Sequence, residues 1–73
     1  MNEFIMLTDA ITGKKLLLRT SLIMKIEEST AELGGTTTSV SEITFLDNKL
    51  SKEFVSESLK YIMNRINKIN LNS

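Results

Sequence analysis

The chain contains neither cysteine nor histidine. Without cysteine it has no disulfide, no thiolate metal site and no sulfur nucleophile. Without histidine it lacks the usual imidazole base and the commonest metal ligand. A serine nucleophile therefore has no imidazole to activate it. Long apolar runs are missing too, and none approaches the ~20 residues of a membrane-crossing helix. Met1-Asn2-Glu3-Phe4 does not show the basic segment and apolar stretch of a secretory signal. These absences point to a cytoplasmic chain that does not insert into membranes. No catalytic, metal-ligating or cofactor-binding residues are assigned, and no cofactor is expected.

What remains is a short chain of 73 residues, enough for a single small domain over 1–73. A domain of this size buries only about 60% of the surface its unfolded chain exposes. Such scaffolds usually carry a staple: disulfides, a metal or a partner subunit. With the first excluded and the commonest metal ligands missing, oligomerisation is the expected one.

Nine basic residues balance nine acidic ones, so the net charge advertises neither nucleic acid nor a membrane surface. The charges are unevenly placed. Residues 1–48 carry an acidic excess, and residues 49–73 carry a basic one. A solvated helix face accounts for the basic end, and contact with an acidic partner or phosphates is the sharper reading.

Apolar patterning predicts five strands and one helix. Strands are expected at about 3–8, 14–19, 22–28, 42–46 and 49–53, a loop at 29–41, and a helix at about 55–69. Asp9 to Gly13 breaks the first two strands as a hairpin connection, with Gly13 suited to positive φ. The third strand shows fair alternation, although Leu, Met, Lys and Glu also suit a helix. Gly34-Gly35 followed by Thr36-Thr37-Thr38-Ser39 has no helical period, and the segment reads as a long connection or a flap over a ligand. Asp47-Asn48 is expected to make a two-residue turn into a short polar edge strand anchored by Leu50. Val55, Leu59, Ile62, Met63, Ile66 and Ile69 then follow helical spacing. Glu53 and Glu57 near the start and Arg65 and Lys68 near the end complement the helix dipole. Asn70 to Ser73 reads as a fraying tail. The fold class is thus α+β: a small antiparallel sheet of four to five strands followed by one C-terminal amphipathic helix.

This pattern contains a surplus. Phe4-Ile5-Met6-Leu7 and Leu16-Leu17-Leu18 are apolar on both strand faces. One helix covers one face, so the other needs a partner. The expected oligomer interface comprises Ile5, Leu7, Leu17, Met24 and Ile26. Met63 reads as core against the sheet, or else as part of a helix stripe that docks into a partner's groove.

The order of elements resembles the small flagellar and swarming-motility proteins of the FlbD type. The matching stretches are Ile5-Met6-Leu7-Thr8, Thr12-Gly13-Lys14, Leu16-Leu17-Leu18, and Ser21-Leu22-Ile23-Met24-Lys25-Ile26-Glu27-Glu28. They continue through Glu42-Ile43-Thr44-Phe45-Leu46 and Lys52-Glu53 into Val55-Ser56-Glu57, covering about residues 4–66. The Gly34-Gly35-Thr36 connection is longer than the family's compact turn, and Phe54 stands where a capping serine is common there. The resemblance implies a cytoplasmic, non-enzymatic accessory of motility, and it offers no catalytic motif to map.

The expected function is a protein-interaction module that acts as a homo-oligomer and regulates or supports an unidentified protein partner. The alternative is a small phage or mobile-element protein. It would bind nucleic acid through Lys14, Lys15, Arg19 and Lys25, or a small ligand through the 29–41 connection. That basic set clusters only if the second and third strands are neighbours. Stacking on single strands needs free aromatics. Of Phe4, Phe45, Phe54 and Tyr61, the three phenylalanines read as core, so nucleic acid is the weaker reading. Glu27 and Glu28 cannot share a site on a strand, because adjacent side chains point to opposite faces.

Overall fold

The computed structural model describes residues 3–72, and the side chains of residues 3–68. The elements run β1 (Phe4–Thr8), β2 (Lys15–Arg19), a 3-10 turn (Thr20–Leu22), β3 (Ile23–Leu33), β4 (Thr36–Phe45), β5 (Lys52–Val55) and α1 (Leu59–Asn72). The class is α+β, as the patterning predicts.

The strands form two antiparallel sheets, β1–β2 and β3–β4–β5, rather than one. A short seam joins them. Asp9 bridges Val55, Ser56 N–H donates to Thr8 O at 2.9 Å, and Ala10 N–H donates to Phe54 O at 2.9 Å. The seam stays short because β5 spends its four residues on β4, and only its end reaches β1.

The β1–β2 hairpin pairs Met6 with Leu17 and Phe4 with Arg19. Gly13 takes φ +76°, as its place in the connection predicts. The Asp9 carboxylate accepts the Ile11 and Thr12 N–H groups at 2.8 and 3.1 Å, which fixes that turn.

The expected 29–41 loop is instead a hairpin arm. β3 and β4 pair continuously from Lys25↔Thr44 to Leu33↔Thr36. Gly34 and Gly35 sit at φ +59° and +80° and alone make the turn. Two successive positive φ values suit a tight hairpin, because that backbone matches strand twist. Thr36, Thr37 and Thr38 favour the strand because β-branched side chains fit a pleated surface. A low-complexity stretch here conceals a strand ladder.

The connection 46–51 replaces the expected two-residue turn. Asp47 Oδ1 accepts the Lys49 and Ser51 N–H groups at 3.1 and 2.9 Å, and Leu50 is held at φ +50°. Leu50 is exposed and outside any strand, so it does not anchor β5.

The helix begins at Leu59, not Val55. Val55 is fully buried at the end of β5. Ser58 caps the helix, its Oγ accepting Tyr61 N–H at 3.1 Å and its carbonyl accepting Ile62 N–H at 3.0 Å. Residues 70–72 continue the helix, so the expected fraying tail is helical there. The Ile69 side chain and Ser73 lie outside the described residues.

Ile5, Leu7, Ile43, Val55 and Ile62 form the fully buried cluster. Leu16, Leu18, Ile23, Ile26, Phe45 and Ile66 pack around it. From the helix, Ile62 joins this cluster and Ile66 packs against it. Glu57 locks this arrangement. Its carboxylate accepts Thr8 N–H and Thr8 Oγ1–H, each at 2.9 Å, while its carbonyl accepts Ser41 Oγ–H at 2.6 Å. Glu57 thus ties the start of the helix to β1 and β4, a different role from complementing the helix dipole.

Candidate interaction surface

An open apolar groove of about 550 Å³ runs between α1 and β3. Its strand wall is Ile23, Met24, Lys25 and Ile26, and its helix wall includes Leu59, Ile62, Met63 and Ile66. Four consecutive strand residues necessarily present both strand faces. The groove therefore opens on the edge of β3 rather than on one face of the sheet. Among the described residues that edge is unpaired, since β3 pairs there only with β4. Met24 and Met63 remain about half exposed at the groove, so Met63 is not core. Neighbouring helix positions point about 100° apart, and with Ile62 turned to the core Met63 is left at the rim.

The expected interface residues do not form one surface. Ile5 and Leu7 are 1% and 0% exposed and belong to the chain's own core. Their face of β1 is covered within the cluster they share with Ile43, Val55 and the helix residue Ile62. The surplus face is the opposite one, where Phe4, Met6 and Leu17 stay exposed. Leu17 lies on the β1–β2 sheet, while Met24 and Ile26 line the groove beside β3. Of the five, only these last two come together. The helix wall is hidden from the sequence because a stripe containing both Ile62 and Met63 is too wide for one buried line.

The basic candidates are likewise divided. Lys14, Lys15, Arg19 and Lys25 are all exposed, but β2 and β3 belong to different sheets and are not hydrogen-bonded neighbours. Lys15 Nζ donates to Thr8 Oγ1 at 2.9 Å. The Arg19 guanidinium lies over the Phe4 ring at 5.4 Å from its centre. Lys25 Nζ pairs with Glu27 at 3.1 Å. No continuous strip for a phosphate backbone results among the described residues.

Two carboxyls meet at the seam between the sheets. Loss of solvent, then the hydrogen bond and charge of Asp9, raise the Glu53 carboxyl above its ordinary range. Asp9 is held below its ordinary range by the Thr12 N–H, by Glu53 and by the Ile11 N–H. Of the two, Glu53 is therefore the one that takes up a proton first as pH falls, with Asp9 as its acceptor. Among the described residues no group of three acidic side chains converges as a metal site, and no helix is long and apolar enough to cross a membrane.

No family model, curated protein or solved structure matches this chain.

Proposed function

We propose that this chain is a non-enzymatic protein-interaction module that works as a homo-oligomer in the cytoplasm. The observation that carries the reading is the apolar groove opening on the unpaired edge of β3. A free edge offers a ladder of backbone donors and acceptors, and an apolar wall beside it rewards whatever strand docks there. The thin core supports the same reading, because so small a cluster gains from burying additional apolar surface. The resemblance of the strand and helix segments to the flagellar and swarming-motility proteins supports a regulatory accessory role on a further protein. Nucleic-acid binding is the weaker reading, because the basic side chains are split between two sheets and Lys25 is paired with Glu27.

Light scattering of the purified chain at micromolar concentration tests the proposal. A mass of two protomers or more is expected. A monomer mass that does not change with concentration would overturn it.

A further inference from the structure

Resting on the homo-oligomer reading, we propose that β3 pairs antiparallel with β3 of a second copy, about a twofold axis at Ile26. A twofold axis through a residue pairs positions equally spaced on either side of it. Antiparallel partners must also share a face, so a residue faces either itself or another of the same parity. Each possible register can then be judged by its charges. Centring on Lys25, Glu27 or Glu28 sets like charges directly opposite one another, which destabilises a strand pair. Centring on Thr30 sets Glu28 against Glu32. Centring on Met24, Ser29 or Ala31 opposes no like charges, yet each leaves Lys25 and Glu27 without an unlike charge across the axis. Centring on Ile26 alone brings each Lys25 opposite Glu27 of the second copy and Ile26 opposite Ile26.

Lys25 and Glu27 already touch within one strand at 3.1 Å, with half of each side chain exposed. Pairing two such strands closes a square of alternating charge. The same register brings Ile26 of both copies, each a groove residue, together at the axis, while Met24, at the register shift in β3, faces Glu28 of the second copy. The groove thus leaves room beside the strand edge for the incoming strand, and its apolar wall is covered in the process. β2 offers no such register. Its central one, about Leu17, sets Lys15 against Arg19.

Charge reversal at the two exposed positions tests the register without touching the core. Lys25→Glu and Glu27→Lys are each expected to keep a wild-type circular-dichroism spectrum. Each alone should weaken self-association on the order of tenfold or more, since like charges then face each other. An equimolar mixture of the two variants should form a heterodimer. In that pair two carboxylates of one chain face two ammonium groups of the other, so every opposed charge is of unlike sign. Native mass spectrometry of one isotope-labelled variant mixed with its counterpart reads this directly. A wild-type oligomer whose single variants stay fully associated, with no preference for the mixed pair, overturns the register and leaves the homo-oligomer reading standing. A monomeric wild-type chain overturns both, and the edge is then left to a strand from a different protein.

Discussion

β2 and β3 are the two outermost strands, each paired on one side only, and they are built in opposite ways. β2 is five residues long and carries Lys15 and Arg19 on its exposed face, so a second β2 laid against it meets its own charge. A short edge guarded by one sign of charge is a common device against edge-to-edge association. β3 is eleven residues long and alternates Lys25 with Glu27 beside an apolar groove. On the proposed pairing, an apolar surface and a docking surface are distinct things. Phe4, Met6 and Leu17 make the outer face of the β1–β2 hairpin apolar. Yet Arg19 covers Phe4, and the flanking cations repel a copy of the same face. The backbone and charge pattern of β3 suits the proposed pairing, which the charge pattern of β2 opposes.

The largest expected effect comes from breaking the two faces of the β1–β2 hairpin separately. Ile5→Asp places an unpaired charge in the fully buried cluster and should cost more than ~4 kcal/mol, close to the whole stability of a domain this small. Its circular-dichroism spectrum should be that of an unfolded chain. Leu17→Asp, on the outer face, should shift the urea midpoint by the equivalent of about 0.5 kcal/mol or less and leave the mass unchanged. Dissociation of the Leu17→Asp protein would move the self-association surface to the hairpin and erase the contrast with β3.

Next in size is the tie between the sheets. Glu57→Ala removes both acceptors of the Thr8 N–H and hydroxyl. Bonds to a charged group contribute about 1.5–3 kcal/mol, so a loss of that order is expected in urea unfolding. Because Glu57 holds the start of α1, the helix wall of the groove should loosen with it, and hydrogen exchange at Ile62 and Met63 should quicken. Unaltered exchange there would show that Ser58 capping and core packing position the helix alone.

A smaller effect should come from making the two edges alike. Arg19→Glu replaces one cation of β2 by a carboxylate. Across a twofold axis at Leu17, Lys15 of each copy then faces that carboxylate, the same logic as on β3. A weak additional association step is expected, visible as a mass above the dimer at high concentration and suppressed by salt. If Arg19→Glu and the wild type give the same mass at low salt, charge is not what keeps β2 unpaired.

Much of the fold is legible in the sequence, and the failures have physical causes. Short apolar runs bounded by turn residues mark β1 and β2, and the alternating start of β3 marks a strand, although a register shift between Ile23 and Lys25 turns Ile23 and Ile26, not every second residue, to the core. Gly13 is legible because a turn between strands needs positive φ. The arm at 29–41 escapes notice because Ser, Thr and Gly carry little apolar signal, although β-branched threonines flanking Gly-Gly are a hairpin pattern. Val55 reads as helix because its spacing to Leu59 fits a helix as well as a strand end. The groove lies beyond reach, because no local pattern says that Ile62 goes inward and Met63 stays at the rim. Ile5 and Leu7 fall on the wrong side for the same reason: both faces of β1 are apolar, and only Ile62 decides which one is covered.

The smallest expected effect sharpens the place where the two sheets meet. Glu53 is raised above the ordinary carboxyl range and Asp9 is lowered below it. A raised carboxyl binds its proton more tightly in the folded state. The stability it contributes is complete below its unfolded value and is lost as pH rises through the folded value. Asp9 works in the other sense, contributing above its unfolded value and losing its contribution as pH falls through the folded one. As pH falls, Glu53 gains its proton before Asp9 does and donates to it, so the seam strengthens toward mild acid. As pH rises and Glu53 ionises, the two carboxylates repel. Glu53→Gln supplies a neutral donor at every pH. Its thermal midpoint should exceed that of the wild type at neutral pH, and the difference should shrink as pH is lowered to about 4.5, near the ordinary glutamate range. A difference that stays constant with pH would mean that the two carboxyls do not share a proton, and that the seam is held by its backbone bonds alone.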